Sequence, residues 1–298
     1  MTAPKSGIVL IDKKTGYSSQ AAVSKVRRAL GAKTAGHTGT LDPMATGLLV
    51  ICFGRGTRVS EYLGASEKRY TAVLKTGIET DTGDITGNIL RRSDRPAVAE
   101  DVLSVLCGFR GKITQVPPIY SAIWVNGRRL YEIARSGESV EVPAREVEIF
   151  SLELVSADEK AGEFTLDIRC SKGTYIRSLC RDIGERLGTF GTMSYLRRTR
   201  AGRYSVENAL TPDEAALRAE KGDFSFVLPI DSVFSELPAV MTDQRGDRYV
   251  RDGAPVPAEH ILTPNVSGRS RLYNGDAFIA VGEIVNGEFI TEKNYYEL

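Results

Sequence analysis

The chain has 298 residues, of which 42% are hydrophobic, and its formal net charge of +1 does not by itself indicate a polyanionic partner. This length allows one large domain, or one large and one small, each with its own core. No apolar run approaches the ~18 to 20 residues of a membrane span, and the N-terminus lacks the pattern of a signal peptide. We therefore expect a cytoplasmic protein without a membrane partner.

The cysteines and histidines do not predict a metal site. The four cysteines lie in apolar or mixed segments, at spacings that fit neither a zinc site nor a redox pair. They are Cys52, Cys107, Cys170 and Cys180. The two histidines, His37 and His260, are far apart and have no cysteine partners. We expect four buried free thiols and no bound metal.

The first third of the chain predicts strands and one clear helix. GIVLID at 7–12 is typical of a short apolar strand, and the segment 18–31 predicts a helix that serine caps and glycine ends. LLVICF at 48–53 is too short for a lone helix and predicts a central strand. The alternation at 69–77 predicts a half-buried strand, and the turn residues TDTGDITG follow at 80–87.

The middle of the chain predicts a further helix, a long excursion and two strands. A helix near 98–107 precedes the excursion at 112–137, where Pro-Pro and glycine bracket little regular core. Strands are predicted at 146–157 and 162–173, followed by a helix from 175 to about 187. Strands that follow one another without helical crossovers favour the α+β class, with a mixed, largely antiparallel central sheet and flanking helices.

The sequence changes character near residue 236. The last 60 or so residues form short alternating runs that are separated by turn dipeptides typical of hairpins. These dipeptides are Asp252-Gly253, Asn274-Gly275 and Asn286-Gly287. We therefore predict a large domain over 1–235 and a small β-barrel-like module over 236–298.

Positive charge is concentrated in residues 169–204. This stretch carries nine basic side chains, eight of them arginine, against Asp182 and Glu185. A run of charge is commonly no more than a solvated face. Here tyrosines are interleaved with the arginines, a combination that suits phosphates held by guanidinium groups and bases stacked on rings. The stretch is therefore a candidate nucleic-acid surface.

The stretch GHTGTLDPMATGLLVICFG at 36–54 contains a single acid, Asp42. An aspartate before proline in a glycine-rich loop can simply shape a turn. Gly36, Gly39 and Gly47, however, remove side-chain bulk and would let another molecule approach the main chain. A loop that ends on a buried strand also mounts a functional group rigidly. No Walker loop, dinucleotide fingerprint or His-Glu-x-x-His helix competes with this loop as the candidate site.

Six blocks of the sequence, in the same order, resemble the TruB family of tRNA pseudouridine synthases. Besides GHTGTLDPMATGLLVICFG they are VLIDKKTGYSS (9–19), KRYTAVLKTGIETDTGD (68–84), QVPPIYSAIWVNGRRLYEIARSG (115–137), KGTYIRSLCRDIG (172–184) and YLRRTRAG (195–202). The resemblance implies a pseudouridine synthase fold that needs no cofactor and no metal. It also implies a C-terminal PUA-like RNA-binding module over 236–298 and an RNA-clamping excursion at about 112–145.

The activity that the resemblance implies is isomerisation of the uridine at position 55, in the T-arm loop of tRNA, to pseudouridine by base flipping. The partner would be the T-arm stem-loop, and we expect a monomer. By match to the family motif, Asp42 is the catalytic aspartate and Arg177 pairs with it. His37 would take the space that the flipped base leaves, and Lys13 matches a lysine near the active site.

Three more residues would form the pocket for the flipped base. Tyr70 would stack on the uracil, and Tyr175 and Leu196 would line the pocket. Tyr70 alone is more typical of a strand residue that packs on the core, and Leu196 alone of a core leucine, so the motif match carries their assignment. Two residues depart from the family: Lys14 stands where proline is usual and Trp124 stands where lysine is usual.

Two other functions compete with this interpretation. Other pseudouridine synthase families typically have Arg-Leu-Asp at the catalytic loop, whereas this chain has Thr40-Leu41-Asp42. A non-catalytic RNA-binding protein or tRNA-folding chaperone could use the same basic stretch and Tyr70, but it would not need Asp42. A substitution at Asp42 therefore separates an enzyme from a binding protein.

Overall fold

The computed structural model describes residues 3–121, 123–125, 127–136, 138 and 140–296. Ala122, Asn126 and Gly137 of the 115–137 block lie outside the described residues, as do Ser139 and the two residues at each terminus. No helix within the described ranges is long and apolar enough to cross a membrane.

Strands and helices of the described residues are numbered in chain order. The strands are β1 Gly7–Lys13, β2 Ala35–His37, β3 Thr46–Phe53, β4 Lys68–Thr76, β5 Ile78–Thr80, β6 Ile89–Arg92, β7 Gly111–Gln115, β8 Trp124–Val125, β9 Arg128–Arg129, β10 Arg145–Asp158, β11 Glu163–Cys170, β12 Gly191–Ala201, β13 Tyr204–Ser205, β14 Val227–Leu228, β15 Ala239–Thr242, β16 Gly268–Asn274, β17 Ala277–Val285 and β18 Glu288–Asn294. The helices are α1 Ser19–Ala29, α2 Ser60–Gly64, α3 Ala99–Leu106, α4 Leu130–Arg135, α5 Ile176–Leu187, α6 Pro212–Glu220 and α7 Gln244–Arg251.

A ten-stranded sheet forms the body of the protein, with the main strand order β14-β1-β3-β12-β4-β11-β10-β7. Its pairs are antiparallel except for β3 and β12, which run parallel with Arg197 opposite Thr46 and Arg198 opposite Gly47. The prediction of a mixed, largely antiparallel sheet with flanking helices is therefore confirmed.

Local sequence explains the elements that carry the site. Ser18 caps α1 by accepting a hydrogen bond from the backbone of Ala21, and the apolar stripe that includes Val23 and Val26 is buried in the main core. Strand β3 is buried over almost its whole length, as a central strand between two neighbours must be. Strand β4 alternates, with Tyr70 among the residues on its buried face.

The structure differs from the sequence-based expectation in three places. Strand β12, with the sequence GTMSYLRRTRA, was not predicted, yet it lies between β3 and β4 near the centre of the sheet. The excursion begins with a strand of the main sheet, β7, and later contains α4, whose Leu130 is fully buried. Residues 249–253 form the end of helix α7 and not a hairpin. This helix begins at Asp243, whose side chain accepts hydrogen bonds from two backbone amides. The other two turn dipeptides do join β16, β17 and β18 as hairpins.

The C-terminal strands form a separate, open sheet with the order β15-β16-β17-β18. It has its own small core, but its two edge strands do not pair with each other in the described chain, so a closed barrel is not confirmed. This sheet packs on the body, because Val281 and Tyr295 share a buried cluster with residues of β1 and β3, and Phe234 makes tilted ring contacts with Phe278 and Tyr295. The domain boundary at 235/236 therefore stays a prediction.

Cys107 corrects one expectation from the sequence. Cys52, Cys170 and Cys180 are buried free thiols, as predicted, whereas Cys107 is exposed. It lies just beyond the last residue of α3, where its thiol donates to the carbonyl of Ser104. A residue at the end of a short amphipathic helix leaves the buried stripe, and its apolar neighbours in sequence do not reveal that.

Candidate active site

Asp42 lies in the loop between β2 and β3, and this loop is fastened to α1. The hydroxyl of Ser19 donates to the carbonyl of Leu41 (2.9 Å) and accepts from its amide (2.8 Å). Within the loop, the amide of Ala45 donates to the carbonyl of Asp42 (3.0 Å). Since Ser19 is 3% exposed while the Asp42 side chain is 32% exposed, a buried anchor holds a carboxylate that is still accessible.

Arg177, near the start of α5, contacts both oxygens of Asp42. Its Nε lies 2.9 Å from Oδ2, as an ion contact that is not aligned as a hydrogen bond, and its Nη2 donates to Oδ1 at 3.3 Å. The same guanidinium donates to the carbonyls of Thr82 (2.8 Å) and Tyr120 (2.9 Å). Arg177 is 4% exposed, so its fork is fixed by backbone from two separate segments.

A second carboxylate, Asp84, faces the other side of Arg177. Its Oδ2 lies 3.9 Å from Arg177 Nη1, and the side chain of Asp84 is buried. Its Oδ1 accepts from the hydroxyl of Thr82 (3.0 Å) and from the amide of Thr86 (3.0 Å). The TDTGDITG segment is therefore more than a turn, because it brings a buried charge to the arginine that holds Asp42.

The surroundings of Asp42 raise the pKa of its carboxyl. Burial is the main cause, since it disfavours the charged form, and the negative charge of Asp84 acts in the same direction. Arg177, through its charge and its hydrogen bond, and Lys13, through its charge, lower the pKa. The two cations thus partly offset the desolvation of this group.

Lys13 is fully buried beneath the same loop. Its ammonium donates to the carbonyls of Tyr17 (2.8 Å), Lys14 (3.1 Å) and Pro43 (3.3 Å), which joins β1 to the residue after Asp42. Burial lowers the pKa of Lys13 to about 8, while the charge of Asp42 raises it. Lys13 is therefore a positive charge close to the carboxylate and also a clamp on the loop.

Arg198, on β12, links the loop to the residues predicted to handle the base. It is 3% exposed and donates to the carbonyls of Leu48 (2.7 Å) and Gly39 (2.9 Å). Burial and the Arg198 charge lower the pKa of His37, which favours its neutral form, and its Nδ1 has no hydrogen-bond partner in the described chain. Burial also raises the pKa of Tyr70, against the attraction of Arg198.

Leu196 and Tyr175 occupy two different settings. Leu196 lies on β12 directly opposite Ala72 of β4, two residues from Tyr70, and it is 6% exposed within the main core. Tyr175 precedes α5, and its amide and carbonyl both bind the side chain of Gln115 (2.8 and 3.0 Å). The guanidinium of Arg145 lies 4.6 Å from the centre of the Tyr175 ring.

Two features of the sequence have other roles than we predicted. Gly47 has φ +99°, and a Cβ there would lie 2.3 Å from the carbonyl oxygen of Arg198, so this glycine makes room for β12 and not for another molecule. The stretch 169–204 is also not one exposed face. Two of its arginines, Arg177 and Arg198, are buried, and four others form ion pairs. The four are Arg169, Arg181, Arg197 and Arg203.

Sequence reasoning missed Ser19, Asp84 and Arg198 as parts of this site. All three lie in family-like blocks, at 9–19, 68–84 and 195–202, but neither residue type nor spacing alone marks them as parts of a site. No sequence signal distinguishes Arg198 from its exposed neighbours. No group of His, Cys, Asp or Glu side chains among the described residues could hold a metal ion. The arrangement that remains is one accessible carboxylate on a rigid loop, held by buried cations, which suits nucleophilic or base chemistry.

Comparison with known proteins gives the family of this chain. Residues 27–176 match the model of the TruB family pseudouridylate synthase N-terminal domain, and residues 177–235 match that of the tRNA pseudouridylate synthase B C-terminal domain. Two curated relatives are both called tRNA pseudouridine synthase B. That of Francisella philomiragia is 40% identical and covers 97% of this chain and 94% of its own, and that of Chromohalobacter salexigens is 41% identical and covers 93% and 90%.

Solved structures agree on the fold. The archaeal box H/ACA sRNP Nop10-Cbf5 complex contains a chain that matches with a TM-score of 0.70 at 22% identity, covering 99% of this chain and 87% of that one. A second match, in an H/ACA RNP bound to a substrate RNA containing 2'-deoxyuridine, has a TM-score of 0.69 at 22% identity and covers 98% and 85%. The ten-stranded body is thus a pseudouridine synthase fold, and the chain belongs to the TruB family of pseudouridylate synthases.

Proposed function

We propose that this protein converts the uridine at position 55 in the T-arm loop of tRNA to pseudouridine, with Asp42 as the catalytic aspartate. The observation that carries the proposal is the Asp42–Arg177 pair, in which an accessible carboxylate is held through both oxygens by a buried guanidinium. The names of the curated relatives support tRNA as the substrate.

The reaction is an isomerisation, so it needs no oxidant, reductant or metal. The bond between N1 of the uracil and C1' of the ribose breaks, and a bond between C5 and C1' forms. The hydrogen on C5 leaves as a proton and N1 gains one. Asp42 acts as an ionised group, either by attack on the uracil ring or by attack on, or proton removal from, the sugar.

The target uridine leaves the stack of the T-arm loop to reach Asp42, which costs a few kcal/mol. Tyr70 stacks on the flipped uracil, and each such stack contributes ~1 to 3 kcal/mol. Leu196 and Tyr175 line the pocket, and the neutral ring of His37 occupies the space that the base leaves. In support, Tyr70 and Leu196 lie on neighbouring strands, and the charge of Arg198 acts to lower the pKa of both Tyr70 and His37.

Arg177 and Lys13 favour the ionised form of the Asp42 carboxyl. Both cations lower the pKa of Asp42, in opposition to burial. Neither touches the substrate in this proposal. They are positioning residues that also set the charge of the catalytic group.

The rest of the chain binds the RNA. Residues 1–235 form the catalytic domain, whose excursion at about 112–145 closes over the T-arm, and residues 236–298 form a PUA-like module that contacts the acceptor side. The exposed basic residues of 169–204, such as Lys172 and Arg200, bind phosphates. The protein acts as a monomer in the cytoplasm, where tRNA is modified.

Tritium release tests the activity directly. A T-arm transcript that contains 5-tritiated uridine loses tritium to water only when C5 forms the new carbon-carbon bond. We expect release by the wild type and none by Asp42→Asn, while Asp94→Asn, at an exposed position after β6, keeps full activity. Release by Asp42→Asn at the wild-type rate would show that this carboxylate is not catalytic. No release by the folded wild type would remove the proposed activity.

A further inference from the structure

Trp124, the one tryptophan of the sequence, lies on the surface of the excursion. It is 61% exposed, on the two-residue strand β8, and it faces Arg129 of β9 across the hairpin. The guanidinium carbon of Arg129 lies 4.7 Å from the centre of the indole ring. A single exposed apolar side chain is ordinary. An indole that lies beside a stacked guanidinium is a more specific arrangement. Its closeness in the chain to a residue that contacts the Asp42–Arg177 pair is a second reason to consider it a binding site.

The chain ties Trp124 to the proposed catalytic pair. Arg177, which contacts Asp42, also donates through Nη2 to the carbonyl of Tyr120 (2.9 Å). Trp124 follows Tyr120 by only four residues in the sequence. Since an extended chain spans at most ~3.6 Å per residue, the two Cα atoms lie within about 15 Å of each other. This distance corresponds to a few nucleotides along an RNA strand.

The hairpin is mounted on the protein and does not project freely. The amide of Leu130 donates to the carbonyl of Ile123 (2.9 Å), and Leu130 is fully buried at the start of α4. Arg128 pairs with Glu138 at 2.9 Å. The strand that carries Arg129 is thus attached to a buried side chain. Because the hairpin is already held in place, binding a ligand on the indole loses little further conformational entropy.

We propose that Trp124 stacks on an unpaired base of the RNA substrate, one that neighbours the target uridine. An aromatic face beside a guanidinium fits a nucleobase, which has a π-face of its own and brings a phosphate with it. The link from Tyr120 through Arg177 to Asp42 places this ring beside the proposed uridine site, which favours the RNA over a lipid surface or an apolar peptide. The inference rests on the proposed function for the identity of the RNA, and it adds a contact that holds the strand next to the flipped base.

The single tryptophan makes the contact measurable without any turnover. A T-arm stem-loop is titrated into the full chain while indole emission is recorded with excitation that spares the tyrosines. We expect saturable quenching, and we expect the same quenching in Asp42→Asn. Trp124→Ala should weaken binding of the stem-loop by about 5- to 100-fold, the range for the loss of one base stack. Trp124→Phe should recover most of the affinity, because it keeps a ring.

Tyr249→Ala is the control, because Tyr249 is also an exposed ring (37%) but lies on α7, in the module proposed to contact the acceptor side, which a T-arm stem-loop lacks. Its affinity should stay within about twofold of the wild type. Unchanged indole emission, or unchanged affinity of Trp124→Ala, overturns the inference. Emission that changes with protein concentration alone would identify a second copy of this chain as the occupant, and would also overturn it.

The two proposals fail separately. Pseudouridine formation without quenching removes the stacking contact and leaves the activity. Quenching and the affinity loss in a protein that forms no pseudouridine leave the contact and remove the activity.

Discussion

Arg177 holds Asp42 by both carboxylate oxygens, with Nε 2.9 Å from Oδ2 and Nη2 donating to Oδ1 at 3.3 Å. The other contacts of the guanidinium are to two backbone carbonyls and to Asp84. Burial raises the pKa of Asp42, and an arginine that is itself fixed by two backbone carbonyls opposes that rise. The orientation of this arginine should control both the rate and its pH dependence.

Arg177→Lys tests the geometry of the pair while keeping the charge. A lysine has one ammonium and cannot contact both oxygens and two carbonyls in the same way. We expect kcat to fall by about 10²-fold, as for a displaced catalytic group. Because the hydrogen bond to Arg177 lowers the pKa of Asp42, its loss raises that pKa. The acid side of the pH–kcat profile should move to higher pH. An unmoved profile with full kcat would show that Asp42 does not depend on this arginine.

Asp84→Asn should move the same profile in the opposite direction. The negative charge of Asp84 raises the pKa of Asp42, so its removal lowers that pKa and extends activity to lower pH. The amide can still accept from Thr82 and Thr86, which limits the structural change. Asp81→Asn is the control, since Asp81 lies in the same turn and binds Asn88. A shift to higher pH in Asp84→Asn would contradict this electrostatic account.

The sequence predicted the candidate catalytic aspartate and two cations beside it, but not every residue that fixes its loop. Asp42, Arg177 and Tyr70 were identifiable because the resemblance to the family motif implies a role for each of these positions. Ser19 and Arg198 act through backbone carbonyls of the catalytic loop, and any residue type with a suitable donor could do so. Which donor reaches the loop is decided by packing, and packing leaves no periodic signal in the sequence.

Strand β12 shows a related limit for the fold. Its residues Arg197, Arg198 and Arg200 are typical of a solvated segment, so the strand pattern was obscured. Arg198 is nevertheless buried, because its nitrogens donate to carbonyls on β3 and in the loop before it. The buried polar group thus depends on partners that are distant in sequence. Helix α7 was missed for a simpler reason, since its cap Asp243 was not recognised.

Tyr70→Leu tests whether stacking acts on the flipped base. A leucine fills the buried position, so the β4 strand should stay intact, but it offers no ring to the uracil. We expect kcat to fall by about 5- to 100-fold and the Kd of the RNA to change much less, since the contact forms only once the base has left its stack. Tyr70→Phe keeps the ring and should retain most of the rate. Equal losses in kcat and binding, or none, would contradict a role for Tyr70 at the flipped base.

Gly47→Ala and Gly36→Ala separate two roles of glycine in this loop, which are close packing against β12 and clearance for the RNA. A Cβ at Gly47 would lie 2.3 Å from the carbonyl oxygen of Arg198, on a backbone with φ +99°, and the parallel pairing of β3 with β12 would have to open. We expect Gly47→Ala to lower the free energy of unfolding by about 3 kcal/mol or more, measured by urea denaturation.

A Cβ at Gly36 would meet nothing within 4 Å, so the free energy of unfolding of Gly36→Ala should lie within about 0.5 kcal/mol of the wild-type value. If the space above Gly36 receives the RNA, this stable variant should still bind the T-arm stem-loop more weakly. Wild-type RNA affinity in Gly36→Ala would mean that the glycine is not clearance for the substrate, and equal instability of the two variants would contradict the packing argument for Gly47.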